Sequence, residues 1–260
     1  MCGAQRRRYN LGNMCCRFRL SVTARELARM FNVELNEALD EFDNLSRINI
    51  APTQQIITVK QGSKKSRKLT MMRWGLIPAW TKDANIGNRN FNARSENIRE
   101  TASFRDLISS RRCLIPADGF YEWKKTGKIK QPYCFEVGKK KLFAFAGLWD
   151  SWKNPQGQIV ESCTILTTSP NEVVASIHER MPVIVPPEKY DVWLDPDIND
   201  YQAIKEILTP YDAQAMSQYP VSPKLNNSAN EELSLDCPIE DRPIKDRSKP
   251  APLPEQPRLF

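Results

Sequence analysis

Residues 113–123 read Cys113-Leu114-Ile115-Pro116-Ala117-Asp118-Gly119-Phe120-Tyr121-Glu122-Trp123. Two strand-like runs, Cys113–Ile115 and Gly119–Trp123, lie either side of Pro116. Proline cannot donate to a sheet ladder, so this stretch predicts two short strands meeting at a corner, not a helix. Working outward, Gln131–Val137 and Leu142–Trp149 are apolar runs around Gly138–Lys141, a pattern that predicts a hairpin, and Val160–Thr168 is a further strand. Upstream, Ile56–Val59 and Leu69–Trp74 predict strands separated by the basic turn Lys60–Lys68. Helices are fewer and short. Thr23 and Glu26 form a capping box for a helix over Arg25–Asn32, with Val22 and Leu27 as a staple and Leu27, Met30 and Phe31 on one face. A second helix is expected over Asn36–Asn44, with Leu35, Leu39 and Phe42 facing inward. Ser169-Pro170-Asn171-Glu172 predicts a helix start, with Ser169 as N-cap and Pro170 at the first helical position, and an end near His178. Short helices are expected at Pro187–Leu194 and Asp200–Leu208. Many short strands without βαβ alternation give an α+β fold: a single domain with a mostly antiparallel, barrel-like sheet flanked by short helices.

The 260 residues include 38 Lys and Arg, 31 Asp and Glu and one His, a net charge of +7. No apolar run approaches the roughly 18 residues of a membrane span. The charge is uneven: residues 1–230 hold 33 basic against 24 acidic residues, and the remainder holds 5 against 7. A body at +9 suggests an anionic partner, nucleic acid first, although a merely solvated basic surface gives the same count. The seven cysteines form no CxxC pair and no Cys/His metal spacing. Cys113, Cys134 and Cys163 lie in apolar strands and read as core thiols in a reducing, cytosolic setting. Arg6-Arg7-Arg8 are followed by no apolar h-region, so a secretory signal is not expected. One histidine excludes a His-rich zinc hydrolase, and no metal or organic cofactor is implied. Residues 1–13 read as an Arg-rich extension, 14–229 as the folded body, and 230–260, with six of the 19 prolines, as a flexible tail.

Six segments stand out: Met14-Cys15-Cys16-Arg17-Phe18, Ile50-Ala51-Pro52-Thr53, Arg73-Trp74-Gly75-Leu76-Ile77-Pro78-Ala79-Trp80, Asn90-Phe91-Asn92-Ala93-Arg94-Ser95-Glu96, Ala117–Trp123, and Ile177-His178-Glu179-Arg180-Met181-Pro182. In this order and spacing, from Met14 to Asn227, they closely resemble the SRAP family, the SOS-response-associated peptidases or abasic-site processing proteins. The resemblance implies a cytoplasmic, nucleoid-associated DNA-repair protein that senses abasic sites in single-stranded DNA and joins itself to them covalently. An open abasic site is an aldehyde. An amine and a thiol on adjacent carbons trap an aldehyde as an imine that closes to a thiazolidine, and only an amino-terminal Cys offers both. An α-amine, with pKa near 8, is also partly neutral at pH 7.

The family start, Met-Cys-Gly-Arg-Phe, aligns with Met14–Phe18, with Cys16 in place of the usual Gly, and assigns Cys15 as the nucleophile. Cys15 gains a free amine only if translation starts at Met14 or the extension is removed. Met1-Cys2-Gly3 also matches at first sight but continues differently, which makes Cys2 the alternative. Glu122 shares a strand face with Phe120, and a carboxylate on an aromatic, half-buried strand is expected to have a raised pKa suited to acid/base work; an ordinary strand Glu paired with Lys is the competing reading. His178 is expected at a helix end, where the dipole favours the protonated ring. By resemblance, Glu122 assists sugar ring opening and imine formation, His178 relays protons, and Asn92 orients the lesion. Arg17, Arg94 and Arg180 are the candidate phosphate binders, and Trp80 a base-stacking residue. The last residues, Gln256-Pro257-Arg258-Leu259-Phe260, resemble the peptide by which bacterial repair proteins dock on the sliding clamp, with Gln256, Leu259 and Phe260 as its anchors. A cysteine peptidase, including one that processes itself, and a non-covalent single-stranded DNA-binding module are the competing functions.

Overall fold

The computed structural model describes residues 17–33, 46–62, 66–127, 129–138 and 141–239. Cys2, Cys15, the expected helix Asn36–Asn44 and the tail motif with Gln256, Leu259 and Phe260 lie outside the described residues. In chain order the strands are β1 (Arg17–Leu20), β2 (Arg47–Ile50), β3 (Gln55–Gln61), β4 (Arg67–Trp74), β5 (Asn92–Arg94), β6 (Arg112–Ala117), β7 (Gly119–Thr126), β8 (Ile129–Val137), β9 (Phe143–Lys153), β10 (Ile159–Thr168), β11 (Met181–Pro182), β12 (Ile184–Val185) and β13 (Met216–Pro220). Among the described residues four short α-helices accompany them: α1 (Ala24–Phe31), α2 (Glu172–Ala175), α3 (Tyr190–Leu194) and α4 (Tyr201–Lys205). No helix among the described residues is long and apolar enough to cross a membrane.

The core is a closed ring of five strands. β10 pairs with β4, β4 with β3, β3 with β6, β6 with β9, and β9 returns to β10. The β4–β10 seam is parallel and the other four are antiparallel. A second sheet, in the order β13-β8-β7-β1-β2, lies against the ring. Its inward aromatics, Phe18 and Phe120, meet Phe145 of the ring edge-on at 5.7 and 6.0 Å, and Phe120 stacks on Phe135 at 5.0 Å. The corner read from residues 113–123 is therefore where the chain leaves the ring (β6) for the second sheet (β7). The mostly antiparallel, barrel-like α+β expectation holds.

Three local expectations need correction. The runs either side of Gly138–Lys141 do not form a hairpin: β8 pairs with β7 and β13, whereas β9 pairs with β6, β10 and β12. Apolar alternation marks a strand but not its partner, and here the turn at Gly138 (φ 52°) passes the chain from one sheet to the other. The N-cap of α2 is Asn171, whose side chain accepts from the Val174 amide at 3.0 Å, not Ser169. The folded body also runs past Ala229. Leu225 and Leu235 are buried against Ile48, Tyr121 and Cys134, and Glu231 accepts from the backbone amides of Ile48 (3.0 Å) and Asn49 (3.1 Å). A few well-placed anchors hold residues 230–239 where composition alone reads as a tail. By contrast α1 forms as read, with its reciprocal Thr23–Glu26 capping box.

Beneath this carboxy-terminal strap lies Arg19, 1% exposed. Its guanidinium donates to Glu136 (2.5 Å), Asp118 (3.3 Å) and Asp236. Neutral donors serve the same carboxylates: Tyr121 the carboxylate of Asp236 at 2.7 Å, Tyr219 that of Glu136 at 2.8 Å, and the Ser21 hydroxyl that of Asp118 at 2.5 Å. Burial opposes the charge on Arg19, but the surrounding acidic groups outweigh it and raise its pKa. Gly119 stands opposite Arg19 in the β1–β7 register, and a Cβ there would come within 2.8 Å of the guanidinium Nε. Replacing the cation by an apolar isostere should leave three carboxylates crowded in one buried site. Arg19→Met is expected to lose about 3–5 kcal/mol at neutral pH, measured by urea unfolding. Like charges held together without their cation repel one another, which is the electrostatic part of that loss. The deficit relative to wild type should accordingly narrow in acid; a deficit independent of pH would show that electrostatics is not what Arg19 contributes.

Candidate active site

Glu122 lies on β7 in the face that buries Phe120, and is itself 1% exposed. The chain reaches this place from a second direction: β1 begins at Arg17, directly opposite Tyr121 in the antiparallel register. A third approach comes from the ring. After β10 and the single turn of α2, the chain doubles back so that β11 pairs with the end of β10, Pro182 opposite Thr167. That return carries His178, whose Nε2 stands 3.8 Å from Glu122 Oε2. The distance is an ion-pair separation longer than a hydrogen bond, of the kind that tightens when substrate arrives. His178 Nδ1 accepts from the Arg180 amide at 3.1 Å and lies 3.0 Å from the Arg180 carbonyl, so the ring is gripped on its Nδ1 side with Nε2 toward the carboxylate. The helix-end argument for His178 needs correction: α2 is four residues long and ends at Ala175, leaving His178 in the following turn with no macrodipole behind it.

Arg180 is held by Glu96. Its Nη1 and Nη2 donate to the two Glu96 carboxylate oxygens at 2.6 and 2.8 Å, and Nη2 also donates to the Thr167 carbonyl at 2.8 Å. These charge-assisted bonds outweigh partial burial and lower the Glu96 pKa. Glu96 follows β5 in a 3-10 turn, Ser95–Asn97, so the pair ties the His178 loop to the strand carrying Asn92 and Arg94. β5 is seated in turn by parallel pairing with β10, Asn92 opposite Ile165 and Arg94 opposite Thr167. The preceding loop is braced from β4. Trp74 Nε1 donates to the Phe91 carbonyl (2.7 Å), and Arg73 donates to the Gly75 carbonyl (2.7 Å) and to Asn88 (2.6 Å). Gly75, at φ 133°, allows this approach, because a Cβ there would lie 2.4 Å from the Gly87 carbonyl oxygen.

The structure thus brings Glu122 and His178 face to face and joins the Arg180 segment to the β5 segment. Asn92 is 5% exposed and Arg94 is exposed, both on β5. Arg17 is placed differently from a free phosphate ligand. It is 8% exposed, its Nη1 donates to Asn49 Oδ1 (2.8 Å) and the Leu225 carbonyl (3.0 Å), and its guanidinium lies 5.8 Å from the Trp123 ring centre. Trp80 is 63% exposed on a turn anchored to β9, where Asp150 accepts from the Ala79 amide (2.7 Å) and Trp152 donates to the Thr81 carbonyl (2.8 Å). Sequence reasoning passed over Glu96. An acidic residue closing a motif with Arg94 in a basic body was the available signal, but its partner lies 84 residues away.

Chemically, a carboxyl group almost closed to solvent faces an imidazole whose side chain is 14% exposed, beside Arg17 at the start of β1. Residues 14–228 match the family model described as SOS response associated peptidase (SRAP). The chain belongs to the SRAP family. Among similar relatives, the abasic site processing protein YoqW of Bacillus subtilis (strain 168) is 42% identical over 223 residues, covering 85% of this chain and 98% of that protein. The abasic site processing protein HMCES of Gallus gallus is 33% identical over 208 residues, covering 70% of this chain and 61% of that one. A solved protein from Bacteroides thetaiotaomicron superposes with a TM-score of 0.78 at 26% identity, over 86% of this chain and all of that one. Within this SRAP fold the Glu96–Arg180 pair has a readable signature. Because the Glu96 carboxyl pKa is lowered from its ordinary 4.5, the pair contributes stability above that pH and loses it as pH falls through the folded value. Half-exposed and screened, it is expected to contribute about 1 kcal/mol or less at neutral pH. Glu96→Gln should show that deficit in urea unfolding at pH 7, and the deficit should shrink progressively as pH is lowered below 4.5.

Proposed function

We propose that this protein recognises abasic sites in single-stranded DNA and joins itself to them as a thiazolidine through Cys15 as its amino-terminal residue. The observation that carries this reading is the buried Glu122–His178 pair beside the start of β1. Cys15 is two residues before Arg17, and two residues span at most about 7 Å. The α-amine attacks the C1 aldehyde of the open sugar; the resulting carbinolamine loses water to give the imine. The thiol then adds across the C=N bond, sulfur to carbon and a proton to nitrogen. Glu122 supplies and removes protons for sugar ring opening and for water loss, and His178 relays them toward solvent. Asn92 orients the lesion, and Arg94 meets its phosphates. The abasic-site names of YoqW and HMCES support the same reading.

A thiol peptidase fits less well. Its histidine must present one nitrogen to the thiol, whereas here Nδ1 is occupied by the Arg180 backbone and Nε2 faces Glu122. Such an enzyme would also cleave peptides in trans without a free α-amine, and a non-covalent binding module would leave no adduct on a denaturing gel.

Intact mass spectrometry of the purified protein, before and after incubation with abasic single-stranded DNA, should give the amino terminus and the adduct together. A chain beginning at Met14 should cross-link once Met14 is removed. Cys15→Ser should form only an imine trapped by borohydride. Full activity from a chain that keeps residues 1–13 and carries Cys15→Ser would transfer the role to Cys2. Glu122→Gln should slow cross-linking about 10²–10⁴-fold while DNA affinity persists; lost affinity with an unchanged rate per bound complex would make Glu122 structural. The proposal extends to the replication sliding clamp as a partner of Gln256, Leu259 and Phe260. A peptide covering residues 250–260 should bind the clamp, and Leu259→Ala with Phe260→Ala should abolish binding; no binding of the wild-type peptide at high micromolar concentration would retire the idea.

A further inference from the structure

β7 does not end at Glu122. It continues outward with Trp123, Lys124, Lys125 and Thr126, and returns as β8 through Ile129, Lys130 and Gln131. By the period of two, Lys124 follows Phe120 and Glu122 on the same face of the strand. Phe120 and Glu122 are each 1% exposed, whereas Lys124 is exposed, so this face leaves the protein interior between Glu122 and Lys124. One step further out, Lys125 stands directly opposite Lys130 in the antiparallel register, and both are exposed. Like charges in that position repel and weaken a hairpin. None of the three lysines makes an ion pair with another described residue, whereas Arg180, Arg47 and Lys60 each have a carboxylate partner. At its root the hairpin is fixed: Trp123 Nε1 donates to Asn226 Oδ1 at 2.6 Å, and Asn226 Nδ2 donates to the Lys130 carbonyl at 3.3 Å. A held ribbon, beginning at Glu122 and ending in cations with no carboxylate partner among the described residues, is suited to a polyanion that runs out of the site.

We infer that the β7–β8 hairpin tip is a phosphate-binding arm that takes the DNA strand on one side of the lesion. Lys124 meets the first phosphate beyond the site, and Lys125 and Lys130 meet the following ones, whose charge relieves the Lys125–Lys130 repulsion. The inference rests on the abasic-DNA reading above.

The test compares wild type with the triple variant Lys124→Ala/Lys125→Ala/Lys130→Ala. Affinity for abasic single-stranded oligonucleotides is measured across a salt series, with the DNA trimmed one nucleotide at a time from either end. Three lost phosphate contacts on a single strand reduce the slope of log K against log salt by about 2, so between about 50 and 200 mM salt wild type should lose roughly 20-fold more affinity than the variant. The difference should vanish when nucleotides are removed from one end and persist when they are removed from the other. Lys125→Glu adds an independent readout, because it turns the repulsive cross-strand pair into an attractive one. It should raise Tm by about 1–2 °C while weakening DNA binding. Equal salt slopes, a difference indifferent to which end is trimmed, or unaltered DNA binding by Lys125→Glu would overturn the arm. If wild type itself neither binds nor cross-links abasic DNA, the functional reading fails first, and that outcome is distinct from a wild type that cross-links without using the hairpin.

Discussion

Arg19 carries its charge at 1% exposure, and three carboxylates from three different parts of the chain converge on it. Asp118 comes from the β6–β7 corner, Glu136 from β8 and Asp236 from the carboxy-terminal strap. A buried cation demands such partners, because leaving it unpaired is prohibitive. The consequence is geometric. β1 has only four residues and two short pairings, yet its position is fixed from behind by Arg19 and by Arg17, which reaches Asn49 and the Leu225 carbonyl. The end of the chain that leads to Cys15 is therefore held by charge at depth rather than by strand length.

The other wall of the site follows a different logic. Glu122 is presented by a strand of the second sheet, His178 by a turn of the ring, and the two approach across the boundary between them. Nothing in the His178 turn is rigid by secondary structure alone. It is steadied by the Arg180 backbone at the imidazole and by the Glu96–Arg180–Thr167 bonds below it. An ion pair of modest strength thereby gains importance through what it positions rather than through its own contribution to stability.

Much of this was legible in the sequence because it is local. Thr23 and Glu26 name their own helix start, the Pro116 corner separates two strands, and the motifs around Asn92, Glu122 and His178 stand in family order. What failed was non-local. Gly138 reads as a hairpin turn, yet whether β9 pairs with β8 or with β6 is decided by which sheet needs an edge, and no spacing encodes that. Arg17 and Arg19 look alike in the sequence, and like surface arginines, because their acceptors lie as far away as Leu225 and Asp236. Arg112 is a further case, buried with its guanidinium shared among backbone carbonyls such as those of Ile108 and Trp193. Residues 230–239 have the composition of a tail, and a few contacts, among them those of Glu231, Leu235 and Asp236, make them part of the body.

The closing contact of that body also orders events in time. Arg19 and Asp236 are 217 positions apart, among the most distant partners in the chain. A ribosome adding about 5–20 residues per second takes roughly 10–45 s to travel between them. During that interval β1 lacks its last carboxylate, and β7, its strand partner, is itself about a hundred residues behind. β1 is thus synthesised long before the partners that fasten it, and it is held in place by contacts that arrive late.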